Sequence, residues 1–382
     1  MKKLASISVL IIVTLCLALA ACGNTPRATS ITVAELHKYG NVILSISGSD
    51  FLARGYEYGD VVTVTILGQD LDMPVGGSYS DVDQGNLILR IEQEEGKDRT
   101  ILAINMGDFA TTYRLATRET IEESPGYRWD YLVDLPIQVE IVLKEKGGYH
   151  DEWIMHQLKR TDLREDYPAL TDAEFANFRE VTTTGMAQGV LYRASSPVNP
   201  EIGRNREADL SSEQAGIRTF VNLADSREEM EAFEGYADTY YATQTIINLG
   251  MAMDFAAPEF EGKFAEGVRQ MIQADGPYLI HCKEGKDRTG FVCATLEALM
   301  GATREEIIAD YMLTYTNYYG VEPGTTNYDT IAHSNILKTL SRAFGVEDIM
   351  AADLALSYAA EAYLQRIGLT EQEIDALKGK LG

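Results

Sequence analysis

The stretch from Tyr278 to Met300 restricts the fold of this chain more than any other. Gly276-Pro277 turns the chain into Tyr278-Leu279-Ile280, a short run that reads as a buried strand. Val292, Cys293, Leu296, Leu299 and Met300 then recur at helical spacing, and Gly301 closes that helix. A buried strand that passes through one tight loop into a helix needs a sheet for the helix to pack on. The neighbouring sequence supplies it. Arg218 to Leu223 and Gln244 to Leu249 read as further buried strands, and Pro258 opens a helix with Phe260, Phe264, Val268, Met271 and Ile272 on one face. This alternation predicts an α/β domain over residues 165–382, a central mostly parallel sheet flanked by helices. Thr303 and Glu306 form a capping-box pattern for the helix that follows Gly301.

The loop itself is His281-Cys282-Lys283-Glu284-Gly285-Lys286-Asp287-Arg288-Thr289-Gly290. Its residue types suit attack on a phosphate ester. A strand-loop-helix turn presents successive backbone N–H groups and the positive end of a helix to an anion. A thiol in the same field is expected to ionise readily, which makes Cys282 the candidate nucleophile. Arg288 offers a planar fork matched to two phosphate oxygens. Gly285 lets the loop bend where a side chain would obstruct the ligand. Thr289 is placed to donate its hydroxyl to the sulfur. Lys283, Glu284, Gly285, Lys286 and Thr289 are the expected phosphate-binding positions beside Cys282 and Arg288.

Cys-x5-Arg followed by Thr-Gly resembles the protein tyrosine phosphatase superfamily. It is closest to the bacterial lipid and dual-specificity phosphatases and to phosphoinositide phosphatases with two loop lysines. Asn177-Phe178-Arg179, Leu191-Tyr192-Arg193-Ala194-Ser195-Ser196, Gly216-Ile217-Arg218-Thr219, Asp310-Tyr311-Met312-Leu313-Thr314 and Tyr363-Leu364 through Leu377 fall in the order that group shows. The resemblance implies a phosphocysteine intermediate and gives His281 a part in ordering the loop. It also implies an aspartic acid that protonates the leaving oxygen, for which three residues compete. Asp254 lies where the separate acid loop of most members belongs, and Asp287 stands immediately before the loop arginine, as in myotubularin-type enzymes. Asp225 reads better as a loop or helix cap, and Asp287 is preferred over Asp254. Lys283 and Lys286 suggest a multiply phosphorylated ligand such as a phosphoinositide or inositol phosphate. Glu284 offsets that charge and keeps phosphotyrosine open.

Upstream the pattern changes. Val42-Ile43-Leu44, Val61 to Ile66, Leu87 to Ile91 and Ile101 to Ile104 are short β-branched runs separated by Gly40-Asn41, Gly59-Asp60, Gly76-Gly77 and Gly85-Asn86. They predict a small all-β, barrel-like domain over residues 31–160, and Ile137 to Leu143 with Trp153 to Leu158 read as a last hairpin around Gly147-Gly148. Lys38-Tyr39-Gly40-Asn41, Tyr79-Ser80-Asp81-Val82 and Ala103-Ile104-Asn105-Met106-Gly107 resemble the C-terminal β domain of the SAM hydroxide adenosyltransferases. That family's catalytic domain has no counterpart here, so the resemblance implies a fold and no activity.

Lys2-Lys3, the apolar run Leu4 to Ala21 and the ending Leu19-Ala20-Ala21-Cys22 resemble a bacterial lipoprotein signal over residues 1–21, with residues 22–30 as tether. This implies lipid on Cys22 and an extracytoplasmic, membrane-anchored protein. Cys16 would leave with the signal, so Cys282 and Cys293 remain, which is no disulfide framework. His37, His150, His156, His281 and His333 are scattered, and neither a metal site nor a cofactor is expected. With 33 Lys+Arg against 58 Asp+Glu, nucleic acid is not an expected partner, and an anionic substrate must be drawn in locally. The expected partner is a phosphorylated protein or inositol phosphate. The competing reading is a surface-anchored protein that binds phosphorylated ligands without turnover.

Overall fold

The computed structural model describes residues 26, 28–94, 96–122, 126–351 and 354–382. The expected signal over 1–21, Cys22 and most of the tether lie outside the described residues. The chain divides into two compact units, Met1–Gln157 and Leu158–Gly382.

The N-terminal unit contains β1 (Thr29–Leu36), β2 (Val42–Leu44), β3 (Val61–Ile66), β4 (Gln69–Gly76), β5 (Leu87–Glu94), β6 (Lys97–Ile104), β7 (Ala116–Thr120), β8 (Tyr127–Tyr131) and β9 (Gln138–Glu145). Seven of them close a barrel in the order β1-β2-β6-β5-β4-β3-β9, while β7 and β8 pair apart. Alternation explains the inside and the outside. Val62, Val64 and Ile66 of β3 and Val139 and Ile141 of β9 are buried, and the residues between them are more exposed. Each such fully buried side chain stabilises the unit by roughly 1.5–3 kcal/mol.

Two expectations are corrected here. β1 begins at Thr29, inside the segment read as tether, because Thr29 and Ser30 pair with Ile141 and Glu140 of β9. Trp153 to Gln157 is not a strand but the end of helix α1 (His150–Gln157). Asp151 and Glu152 favour its first turn. Trp153 and Gln157, one turn apart, both donate to the Asp81 carboxylate, at 3.1 and 3.0 Å, an alignment a helix provides and a strand does not.

The C-terminal unit is built on β10 (Arg179–Glu180), β11 (Leu191–Ala194), β12 (Thr219–Asn222), β13 (Thr245–Asn248) and β14 (Tyr278–His281), in the order β10-β11-β14-β12-β13. The β10–β11 pair is antiparallel and the other pairs are parallel. Helices α2 (Asn205–Ala215), α3 (Pro258–Gln273), α4 (Asp287–Met300) and α5 (Arg304–Tyr319) accompany the sheet. On α3, Phe260, Phe264, Val268 and Met271 are buried, as their period predicts. Residues 289–299 of α4 are buried on every side, so this is a core helix rather than an amphipathic one. Among the described residues no helix is long and apolar enough to cross a membrane.

The register sets the position of the site. His281 at the end of β14 lies level with Ala194 of β11 and Asn222 of β12, which in turn lies level with Asn248 of β13. The segments that follow these four strands therefore leave the sheet along one edge, where the strands' carboxyl ends offer a crevice. They are Ser195-Ser196, Leu223 to Asp225, Leu249 to Asp254 and the cysteine loop.

Candidate active site

Cys282 is the first residue beyond β14 and is 3% exposed. From there to Lys286 the loop turns its carbonyls outward. The Lys283 carbonyl accepts from the Ser196 amide at 3.0 Å. That of Glu284 accepts from the Tyr318 hydroxyl at 2.8 Å and the Asn177 amide side chain at 3.3 Å. That of Gly285 accepts from Asn177 at 3.3 Å and Arg193 at 3.0 Å. In a trans peptide the next N–H points opposite to the carbonyl, so the amides of Glu284, Gly285 and Lys286 face the other way. None of the three has an acceptor among the described residues. Gly285 has φ of +67°, and a Cβ there would lie 2.1 Å from the Ala194 carbonyl oxygen, so the turn requires glycine. With α4 starting at Asp287, the result is a concave row of donors beside a helix N-terminus.

Arg288 donates one N–H to the Met251 carbonyl at 2.7 Å, and its Nε is buried without a partner among the described residues. Part of the fork is therefore available to an anion. Thr289 is fully buried, and its hydroxyl has no partner either, so the expected bond to the sulfur is not formed here. His281 is buried behind the loop. Its Nε2 lies 3.0 Å from the Tyr241 hydroxyl and its Nδ1 3.3 Å from the Cys282 carbonyl oxygen. Burial pushes its pKa down to about 3, so the ring is neutral in ordinary solution.

The loop's other charges are already matched. Lys283 pairs with Glu201. Lys286 lies 3.0 Å from Glu284 and 3.9 Å from Asp287, with the Tyr319 hydroxyl at 3.3 Å. Burial works against the Lys286 charge, but Asp287, Tyr319 and Glu284 outweigh it and hold the ammonium well above its usual range. The second Glu284 oxygen takes Arg160 at 2.9 Å. Burial would raise that carboxyl, yet Lys286 and Arg160 hold it below the usual carboxylate range. Tyr318 and Tyr319 thus brace the loop through their hydroxyls.

The three aspartates are treated differently by the fold. Asp287 opens α4, and burial pushes its carboxyl up against the opposing effect of Lys286 and Arg288. Asp225 is buried, and its carboxylate takes Asn222 at 3.2 Å; burial raises its pKa too, and Arg288 opposes. Asp254 is exposed and accepts from the Ala256 amide at 3.2 Å, the geometry of a local turn. Among the described residues no group of three His, Cys, Asp or Glu side chains is placed to hold a metal ion.

Asn177, Arg193 and Tyr241, far from the loop in sequence, hold it in place. Asn177 and Arg193 lie in segments that carry the family resemblance, which gives them no stated role, and no sequence signal marks Tyr241. Asn177 adopts φ of +53°, a backbone that asparagine tolerates better than most residues.

Residues 171–382 match the profile of the tyrosine phosphatase family, and residues 32–122 that of the SAM hydroxide adenosyltransferase C-terminal domain. The tyrosine-protein phosphatase of Nostoc commune is 31% identical over an alignment of 225 residues that covers 48% of this chain and 72% of that protein. The triple specificity protein phosphatase PtpB of Mycobacterium tuberculosis is 48% identical over 45 residues, 12% of this chain and 16% of that protein. Among solved structures, the core catalytic domain of the PP-IP phosphatase SIW14 from S. cerevisiae aligns at a TM-score of 0.27 and 17% identity, over 44% of this chain and 89% of that one. With its strand, cysteine loop and helix lying inside a family match that spans residues 171–382, the chain belongs to the tyrosine phosphatase family and is a phosphatase.

Proposed function

We propose that the C-terminal unit hydrolyses phosphate monoesters through Cys282 and that phosphotyrosine in proteins is its substrate class. The observation that carries the reading is the row of unpaired amides at Glu284, Gly285 and Lys286 beside Cys282 and Arg288. Three donors and a guanidinium would hold the equatorial oxygens while charge builds on them. The Cys282 thiolate attacks phosphorus, forming the S–P bond as the ester P–O bond breaks. Asp287, which burial favours in its protonated form, gives its proton to the leaving oxygen. Water then attacks the phosphocysteine and passes a proton to the Asp287 carboxylate. Inorganic phosphate leaves and the thiolate is restored.

The ion pairs Lys283–Glu201 and Lys286–Glu284 favour a single phosphate on an aromatic ring over an inositol polyphosphate, because the cations that would grip further phosphates are occupied. Purified protein should release phosphate from an aryl phosphate in the presence of a chelator, and Cys282→Ser should abolish this. Activity surviving in that variant refutes the assignment. Binding of inorganic phosphate without turnover by the folded parent would favour the ligand-binding reading. Faster turnover of inositol polyphosphates than of phosphotyrosine peptides would overturn the substrate class.

The ending Leu19-Ala20-Ala21-Cys22 supports a place outside the cytoplasm, with acyl chains on Cys22 as the anchor. Labelling of the chain by radioactive palmitate, lost in Cys22→Ala, tests this part.

A further inference from the structure

Behind the cysteine loop, on the side away from the free amides, lies a buried ion cluster that takes no part in the reaction steps. Arg193 is fully buried and pairs with Asp310, and a second N–H of the same guanidinium donates to the Gly285 carbonyl at 3.0 Å. Arg179 meets the other Asp310 oxygen at 2.8 Å and the Asp310 backbone carbonyl at 2.7 Å. It also donates to the Asn177 side-chain oxygen at 2.6 Å. Asn177 spends its own N–H donors on Glu284 O, Gly285 O and the Thr314 hydroxyl, at 3.3, 3.3 and 3.2 Å.

Taking these groups out of water costs free energy that a packed apolar cluster would not demand. Their donors converge on two consecutive loop carbonyls, which suggests what the cluster is for. A carbonyl that accepts hydrogen bonds has its peptide polarised, which strengthens the N–H at the other end as a donor. Gly285 O takes them from Arg193 and Asn177, and Glu284 O from Asn177 and Tyr318. For the Gly285 carbonyl that N–H belongs to Lys286, and for the Glu284 carbonyl it belongs to Gly285. Both amides face the anion side. Two guanidiniums share the one Asp310 carboxylate, and burial pushes the neighbouring Glu297 carboxyl up, toward its neutral form.

We propose that Asn177, Arg193 and Asp310, with Arg179 locking them together, are positioning residues that aim and polarise the loop amides for the phosphoryl group. The inference rests on the loop being the phosphate site, but not on which residue is the nucleophile. Asn177→Gly is the sharpest probe, because glycine accepts φ of +53° and the change removes the carboxamide with its methylene and leaves the backbone path open.

The variant should melt within a few degrees of the parent. Its dissociation constant for inorganic phosphate should rise and its kcat on p-nitrophenyl phosphate fall, each roughly ten- to hundredfold, the range in which outer partners of a reacting group usually act. Arg193→Lys keeps the charge but reaches only one of the two acceptors, so its values should fall between those of the parent and Asn177→Gly. Unchanged phosphate affinity and kcat in folded Asn177→Gly overturn the proposal. Should that variant fail to fold, Arg193→Lys decides it by the same two measurements, with values equal to the parent's overturning it. Phosphate affinity measured in Cys282→Ser and in Cys282→Ser with Asn177→Gly separates the two ideas. Activity surviving in the single variant sinks the nucleophile assignment, whereas equal affinity in both sinks the positioning role.

Discussion

Gly285→Ala tests the loop geometry at its tightest point. The new methyl would sit 2.1 Å from the Ala194 carbonyl oxygen, 2.5 Å from its carbon and 2.8 Å from the Ser195 nitrogen. Ordinary contact for such atoms begins near 3.4 Å, so the two backbones must part by roughly 1 Å. The Ala194 side cannot yield easily, because β11 is in register with β14 through Ala194 and His281 and the Ser195 amide is held by Ala176 O at 3.0 Å. The loop must move instead. An alanine at φ of +67° costs about 1–2 kcal/mol more, so the melting temperature should drop by several degrees while the unit still folds. Catalysis should suffer far more. A 1 Å misplacement of groups that must meet a transition state costs on the order of a hundredfold. Initial rates on p-nitrophenyl phosphate, with calorimetry on the same sample, separate the two effects. A folded Gly285→Ala protein within threefold of the parent kcat would show that the loop does not depend on this approach.

Asp287→Asn should lower kcat by roughly 10²- to 10⁴-fold, more on alkyl than on nitrophenyl phosphates, because the poorer leaving group needs the proton more. Since the Asp287 pKa is raised, the parent should stay active further into the alkaline range than an ordinary carboxylic acid allows, and the variant should lose that descending limb. If Asp254→Asn or Asp225→Asn removes it instead, the acid is misassigned. His281 bears on stability. Its pKa is about 3 in the fold and near 6.5 when unfolded, so between these values the unfolded chain holds a proton that the folded chain lacks. Stability must therefore decline as pH falls below about 6.5, by up to about 1.4 kcal/mol per unit from this group. His281→Gln should melt with a shallower pH dependence between about 6.5 and 4.5, and parallel melting curves would contradict the burial of a neutral ring.

Wherever a period was long enough to count, the fold could be read from the chain. The span Val61 to Ile66 is β3 as expected, and the α3 face at Phe260, Phe264, Val268 and Met271 is buried. The Thr303–Glu306 capping box caps α5 as expected. The misread pieces are short and decided by tertiary partners. Trp153 looked like a strand residue because an aromatic beside isoleucine suits a pleated surface. It is helical because Asp81, more than seventy positions earlier, takes hydrogen bonds from both Trp153 and Gln157. Thr29 and Ser30 looked like linker because two small polar residues carry no pattern until β9 arrives beside them.

The site divides along the same line. Which residues the fold gathers at the loop is legible, since Cys282, Gly285 and Arg288 lie within seven positions of one strand-loop-helix turn. How the neighbouring charges are spent is not. The loop sequence alone presents Lys283 and Lys286 as cations facing a ligand, but an ammonium on a flexible stem goes to whichever carboxylate the fold brings near. Here Glu201 and Glu284 are brought near, and Tyr319 adds its hydroxyl to Lys286. Glu284 offsets the loop cations as its charge suggests, with one oxygen turned to Lys286, and its other oxygen takes Arg160, which the loop sequence does not show. Sign and spacing in a loop therefore identify what can react, whereas direction comes from residues that share no local pattern with it. Asn177, Arg193 and Tyr318 are such residues. On the proposed function, a protein carrying a net charge of −25 would attract phosphate through aimed amides and one fork rather than through the count of lysines around them.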